Sequence, residues 1–181
     1  MATISKKALT KGQYLRDINE VLFELRNKGL IRYSYEARDL IMMTVMHESC
    51  GLLYDRQMNG GPALGYVNME RKTHEDLYDN YLRYRSDLYE AAIEGVPQCF
   101  LYDLNGIMVP KAEYLIESHK YAIKMARIHY FRVPESIPQY RSKFYLLELS
   151  EYCKKYYNGP GKATAEKYFD DYATHWLSYQ G

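Results

Sequence analysis

Apolar residues recur at helical spacing along most of the chain. Tyr14, Ile18, Val21, Leu22 and Leu25 form one stripe, closed by Gly29 where a helix C-terminus favours glycine. A second stripe runs Ala37, Leu40, Ile41, Thr44, Val45 and Glu48, with Ser34 placed as a cap and Gly51 as a stop. Thr73 with Asp76 reads as a variant capping box, opening a helix through Leu77, Tyr81 and Tyr84 towards Ile93. Leu115, Tyr121, Ala122, Met125 and Ala126 predict a helix between Pro110 and Pro134. Phe144, Leu147 and Cys153 predict another reaching Tyr156. Ala165, Tyr168, Phe169, Tyr172, Trp176 and Tyr179 outline a last one, capped by Thr164.

Between Leu52 and Asn68 the period is lost, and the turn-formers Asn59-Gly60-Gly61-Pro62 predict an irregular or β-hairpin excursion. No repeat, low-complexity tract or Gly/Ser linker interrupts the chain, and strands do not alternate with helices. The expectation is a mainly α, α-rich single domain over residues 1–181.

Composition narrows the function classes. With 47% hydrophobic and 26% charged residues the chain is globular in type. Its 24 basic and 23 acidic residues leave a net charge of +1, which disfavours a dedicated nucleic-acid binder. Cys50, Cys99 and Cys153 are odd in number and widely spaced, as expected of reduced thiols. Met-Ala-Thr-Ile-Ser-Lys-Lys lacks the apolar run of a secretory signal, and no window has the ~18 apolar residues of a membrane span. The reading is a protein made in a cytoplasm, without membrane insertion. The 21 tyrosines suit packing and equally suit stacking on sugars.

Glu48 breaks the local rule, because a carboxylate on an apolar helix face costs free energy unless it is paired or neutralised. It either reaches solvent, pairs with a buried arginine, or serves as a general acid. Desolvation and the negative end of the helix macrodipole both favour a protonated carboxyl, the state that leaving-group protonation needs.

Three further stretches extend this reading. His47-Glu48-Ser49-Cys50-Gly51, then Gly65-Tyr66-Val67-Asn68-Met69 with Thr73, then Tyr156-Tyr157-Asn158-Gly159-Pro160-Gly161 resemble, in order, the three motifs of the soluble lytic transglycosylase family. The chain also resembles lysozyme-like proteins of tailed bacteriophages at Gly60 to Gly65, at Thr73-His74, at Met125-Ala126-Arg127-Ile128-His129-Tyr130 and at Val133-Pro134-Glu135. The resemblance implies a lysozyme-like, goose-type-like fold and cleavage of peptidoglycan glycan strands at the MurNAc-GlcNAc β-1,4 bond, without a cofactor. It implies Glu48 as the acid/base, Ser49 supporting its geometry, Tyr157 orienting its carboxyl group, and Gly65, Tyr66, Asn68, Met69 and Asn158 contacting saccharide. Asn68 stands where the family has glutamine, and Tyr156 where it has alanine.

Other readings stay open beside it. A hydrolase needs a second carboxylate, for which Asp55, Glu70 and Glu75 are the candidates. A virion structural or ejection protein would keep the fold without turnover and would assemble with other phage virion proteins. A metal site would join His47 and Cys50 to His74, His119 or Cys153. His129 and His175 read as packed or surface residues.

Overall fold

The computed structural model describes residues 9–57, 60–159 and 161–180, the side chain of residue 180 excepted. The N-terminal Met-Ala-Thr-Ile-Ser-Lys-Lys, Asn59 and Pro160 therefore lie outside the described residues. The described chain is mainly helical.

Helix α1 (Lys11–Asn27) opens on a capping box, Thr10 accepting from the Gln13 amide and Gln13 answering the Thr10 amide, and it buries the five residues of its stripe. Helix α2 (Tyr35–Glu48) starts at Ser34, whose side chain accepts from the Ala37 amide. It buries Met42, Met43 and Met46 as well as its predicted stripe from Ala37 to Val45, because α1 and three later helices pack round it, while Glu48 at the end of that stripe is only partly buried. Those three are α6 (His119–Phe131), α7 (Tyr145–Tyr156) and α8 (Ala165–Tyr172). A helix buried on nearly every side cannot end freely in solvent, so its last turn meets other parts of the chain.

The predicted excursion is mostly turn. Near its end β1 (Ala63–Leu64) pairs antiparallel with β2 (Met69–Glu70), which lies just beyond the predicted bounds, Leu64 facing Met69. The helix expected from Thr73 to Ile93 is two helices, α3 (Arg71–Asn80) and α4 (Ser86–Ile93), joined by a 3-10 turn at Leu82–Tyr84. Thr73 does not cap α3: the N-cap position belongs to Glu70, and Thr73 sits in the first turn.

A hairpin absent from the sequence reading follows, β3 (Leu101–Leu104) with β4 (Ile107–Pro110), closed by Asn105 and Gly106 at φ 52° and 85°. Two consecutive left-handed residues are what an Asn-Gly hairpin turn requires. The short helix α5 (Tyr114–Glu117) breaks at Ser118, whose side chain caps α6 by accepting from the Tyr121 amide. In α7 the expected apolar markers Phe144 and Leu147 are exposed, while Tyr145, Leu149, Tyr152 and Cys153 face inward. Thr164 caps α8 as expected. Beyond it the chain widens into a π turn at Ala173–Leu177 before α9 (Ser178–Gln180).

The buried side chains form one cluster reaching from Tyr14 to Trp176. Among the described residues no helix is long and apolar enough to cross a membrane.

Candidate functional site

Glu48 is the last residue of α2, and the chain turns away from it sharply. Ser49, almost fully buried, donates its hydroxyl to the Val45 carbonyl at 2.6 Å and accepts the Leu52 amide at 2.8 Å. Its own carbonyl accepts the Leu53 and Tyr54 amides. These bonds answer the carbonyls and amides that a helix end leaves unpaired, and they fix the direction in which Glu48 leaves the helix.

The carboxyl group is held from the far end of the chain. Glu48 Oε1 accepts the Tyr168 hydroxyl at 2.6 Å and the Asn158 side-chain amide at 3.3 Å. Burial, reinforced by the Glu48 charge, pushes the Tyr168 phenol far up, so it stays a donor. One turn further along α8, Asp171 meets His47 Nδ1 at 2.7 Å, and the His47 ring lies over that of Tyr168 with centroids 3.8 Å apart. Residues three apart share a helix face, so α8 grips two consecutive residues of α2 at once.

The second motif closes on the same point. Asn68 has φ 50°, a left-handed conformation that asparagine tolerates better than longer side chains. From there its amide donates to the Glu48 backbone carbonyl at 2.9 Å, tying the loop to the end of α2. Tyr157 does not bond the Glu48 carboxyl: its hydroxyl donates to the Val67 carbonyl at 2.7 Å and joins the third motif to the second. The orienting bond expected of Tyr157 belongs to Tyr168.

The remaining expected contact residues divide. A groove of about 550 Å³ is lined by Glu48, Asn68, Met69, Thr73, Tyr157 and Asn158, with Glu70, His129 and Lys162 among its other walls. Gly65 and Tyr66 do not line it. At Gly65, φ is 71° and an added Cβ would lie 2.6 Å from the Leu115 carbonyl oxygen, so the backbone that approaches this glycine is the chain's own. Tyr66 is buried, its ring 5.9 Å from Tyr14 and 5.1 Å from His119.

A smaller cleft of about 230 Å³ shares Glu48, Gln57 and Asn68 with the groove and adds His47, Cys50, Tyr54 and Arg56. Glu48 thus sits where two recesses meet.

Of the three candidate second carboxylates, Glu70 lines the groove. Glu75 accepts the Tyr102 hydroxyl at 3.1 Å beside the β3–β4 hairpin, and Asp55 lines neither recess. His129, expected to be packed or at the surface, is buried, yet it also forms groove wall; its Nε2 donates to the Tyr156 carbonyl at 3.0 Å, and burial lowers its pKa to about 4. His74 is buried against the Tyr121 hydroxyl at 2.6 Å, and Cys153 is buried near Thr44. Among the described residues no group of three or more His, Cys, Asp or Glu side chains could hold a metal ion.

Tyr168, which the apolar pattern marks only as one member of the last helix's stripe, is the side chain that holds the Glu48 carboxyl group. Its signal was present, since a tyrosine on a buried stripe needs a partner for its hydroxyl. Nothing local names that partner. No family model, curated protein or solved structure matches the chain.

Proposed function

We propose that the protein cleaves peptidoglycan glycan strands at the MurNAc-GlcNAc β-1,4 bond in the manner of a lytic transglycosylase, with Glu48 as acid and then base. The observation that carries this reading is the placement of Glu48 where the 550 Å³ groove meets the smaller cleft, its Oε1 held by Tyr168 and Asn158. A polymer lying through both recesses would cross this carboxyl group. The order of the three sequence motifs supports the same reading.

Because Oε1 accepts from two donors, the acid proton belongs on Oε2. From there it passes to the glycosidic oxygen as the C1–O bond breaks. The carboxylate then removes the proton of the muramyl 6-hydroxyl, whose oxygen closes on C1 to give a 1,6-anhydro sugar. No water is consumed and Glu48 ends as it began. Met69 and the Tyr157 ring supply apolar wall against which sugar faces pack, while Thr73 and Asn158 bring polar groups.

In a bacteriophage setting the protein acts at the cell wall, reaching it through a membrane-permeabilising partner or inside a particle with other virion proteins. The test is digestion of purified peptidoglycan by wild type and by Glu48→Gln, with product ends read by mass spectrometry. Anhydro ends from wild type alone are the expected result. Hydrated reducing ends alone would assign a hydrolase, with Glu70 the first carboxylate to examine. Equal failure of both proteins would assign a non-catalytic virion structural role.

A further inference from the structure

Helix α6 carries two buried cations, and they are treated differently. Lys124 donates to Glu24 at 2.9 Å and to the Ala91 carbonyl at 2.8 Å. Arg127, equally buried at 6% exposure, lies over the Phe131 ring at 5.6 Å, its Nε has no hydrogen-bond partner, and among the described residues it forms no ion pair within 4.0 Å. Burial pulls its pKa down to about 10, so it remains a cation at neutral pH. Burying a cation without a counter-ion is unfavourable, and such an arrangement persists where something else answers the charge.

Arg127 forms part of the wall of a pocket of about 420 Å³, separate from the residues of the Glu48 groove. Tyr33, Tyr130 and Tyr152 stand beside it, and their hydroxyls are already engaged, with Asn19, Thr44 and the Glu135 carbonyl respectively. What they offer a ligand is ring surface. Arg32 adds an exposed cation, while Glu36 and Glu135 add two carboxylates. Glu36 accepts the Tyr140 amide at 3.2 Å, and Glu135 faces Lys155 at 3.9 Å. A doubly charged phosphate would be repelled by both acids, whereas a single carboxylate matches the planar guanidinium with less repulsion.

We propose that this pocket is a second binding site, for a ligand presenting one carboxylate on a flat apolar body, with Arg127 as its buried counter-ion. The volume is that of a small-molecule site, and the mixture of aromatic wall with one convergent charge is typical of such sites. The inference is independent of Glu48 and of the reaction proposed there.

The probes are benzoate, its neutral isostere benzamide, and inorganic phosphate, each added to the full chain at constant ionic strength. Benzoate is expected to raise Tm and to shift the Arg127 Nε–H resonance in nitrogen-edited NMR spectra, while benzamide and phosphate do neither. Arg127→Lys should weaken benzoate binding at least about tenfold, since an ammonium lacks the bidentate fork. Equal responses to benzoate and benzamide would leave only an apolar cavity, and a response to phosphate alone would make it a phosphate site; either overturns the proposal. An Arg127 Nε–H resonance unmoved by benzoate in the wild-type protein overturns it without recourse to any variant.

Discussion

The Tyr168 hydroxyl and the Glu48 carboxyl, 120 positions apart in sequence, meet at 2.6 Å. In the reaction proposed above, this bond leaves Oε2 as the oxygen that carries the proton. Tyr168→Phe keeps the ring against His47 and removes the hydroxyl alone. In the peptidoglycan assay it should lower kcat by about 10- to 100-fold with KM little changed, the effect of a misplaced reacting group. A KM rise at constant kcat would assign Tyr168 to saccharide binding instead. Added to Glu48→Gln, the substitution should cost no further activity.

Asn68 is matched to its backbone. At φ 50° a glutamine gives up the local preference of asparagine for the left-handed region and overshoots the Glu48 carbonyl. Asn68→Gln should therefore lower the unfolding free energy by about 1–2 kcal/mol in urea denaturation. Asn68→Gly, which relieves the backbone but loses the bond, should fall between it and wild type. A glutamine variant as stable as wild type would contradict this account.

Gly65 answers to the fold. Gly65→Ala forces a Cβ to 2.6 Å from the Leu115 carbonyl oxygen at φ 71°, and should cost more than about 2 kcal/mol of stability. At a temperature where the variant is still folded, KM for peptidoglycan should be unchanged. A selective KM increase in a fully stable protein would return Gly65 to the saccharide groove.

Burial depresses both His74 and His129 to about 4 from an ordinary value of 6.5. In that window the unfolded chain binds protons that the folded chain refuses, so stability is present above the unfolded value and is lost as pH falls towards 4. Each histidine contributes at most about 3 kcal/mol, and Asp39, pushed upward by burial, works in the opposite direction. Urea midpoints should drop steadily on acidification from neutral pH. Substitution of His74 by glutamine should flatten the profile, and an unchanged slope would remove His74 from the explanation.

How much of this could be read in advance depended on the range of the interactions. The α1 stripe matched its buried face residue for residue, because one packed face sets a clean period. The α3–α4 pair read as a single helix because both halves pack on the same core and their apolar spacing runs on through the 3-10 turn, although Tyr84, within that turn, is among the most exposed large side chains. The β3–β4 hairpin carries a local signal, Asn105-Gly106 between apolar residues, but its strands of four residues each are too short for alternation to stand out. Glu48 stood out because it violated its own stripe. Tyr168 obeyed its stripe and gave no such sign, and its partner lies on a helix reached only through the tertiary fold.

That long reach has a consequence for the order in which the molecule is made. A ribosome delivers α2 and Glu48 well before α8. During that interval the carboxyl group lacks the phenol that holds Oε1, and His47 lacks Asp171. A nascent chain halted before Thr164 lacks the helix that packs on α2 and α7, and if Glu48 is the acid proposed above, that acid is completed only when this helix docks.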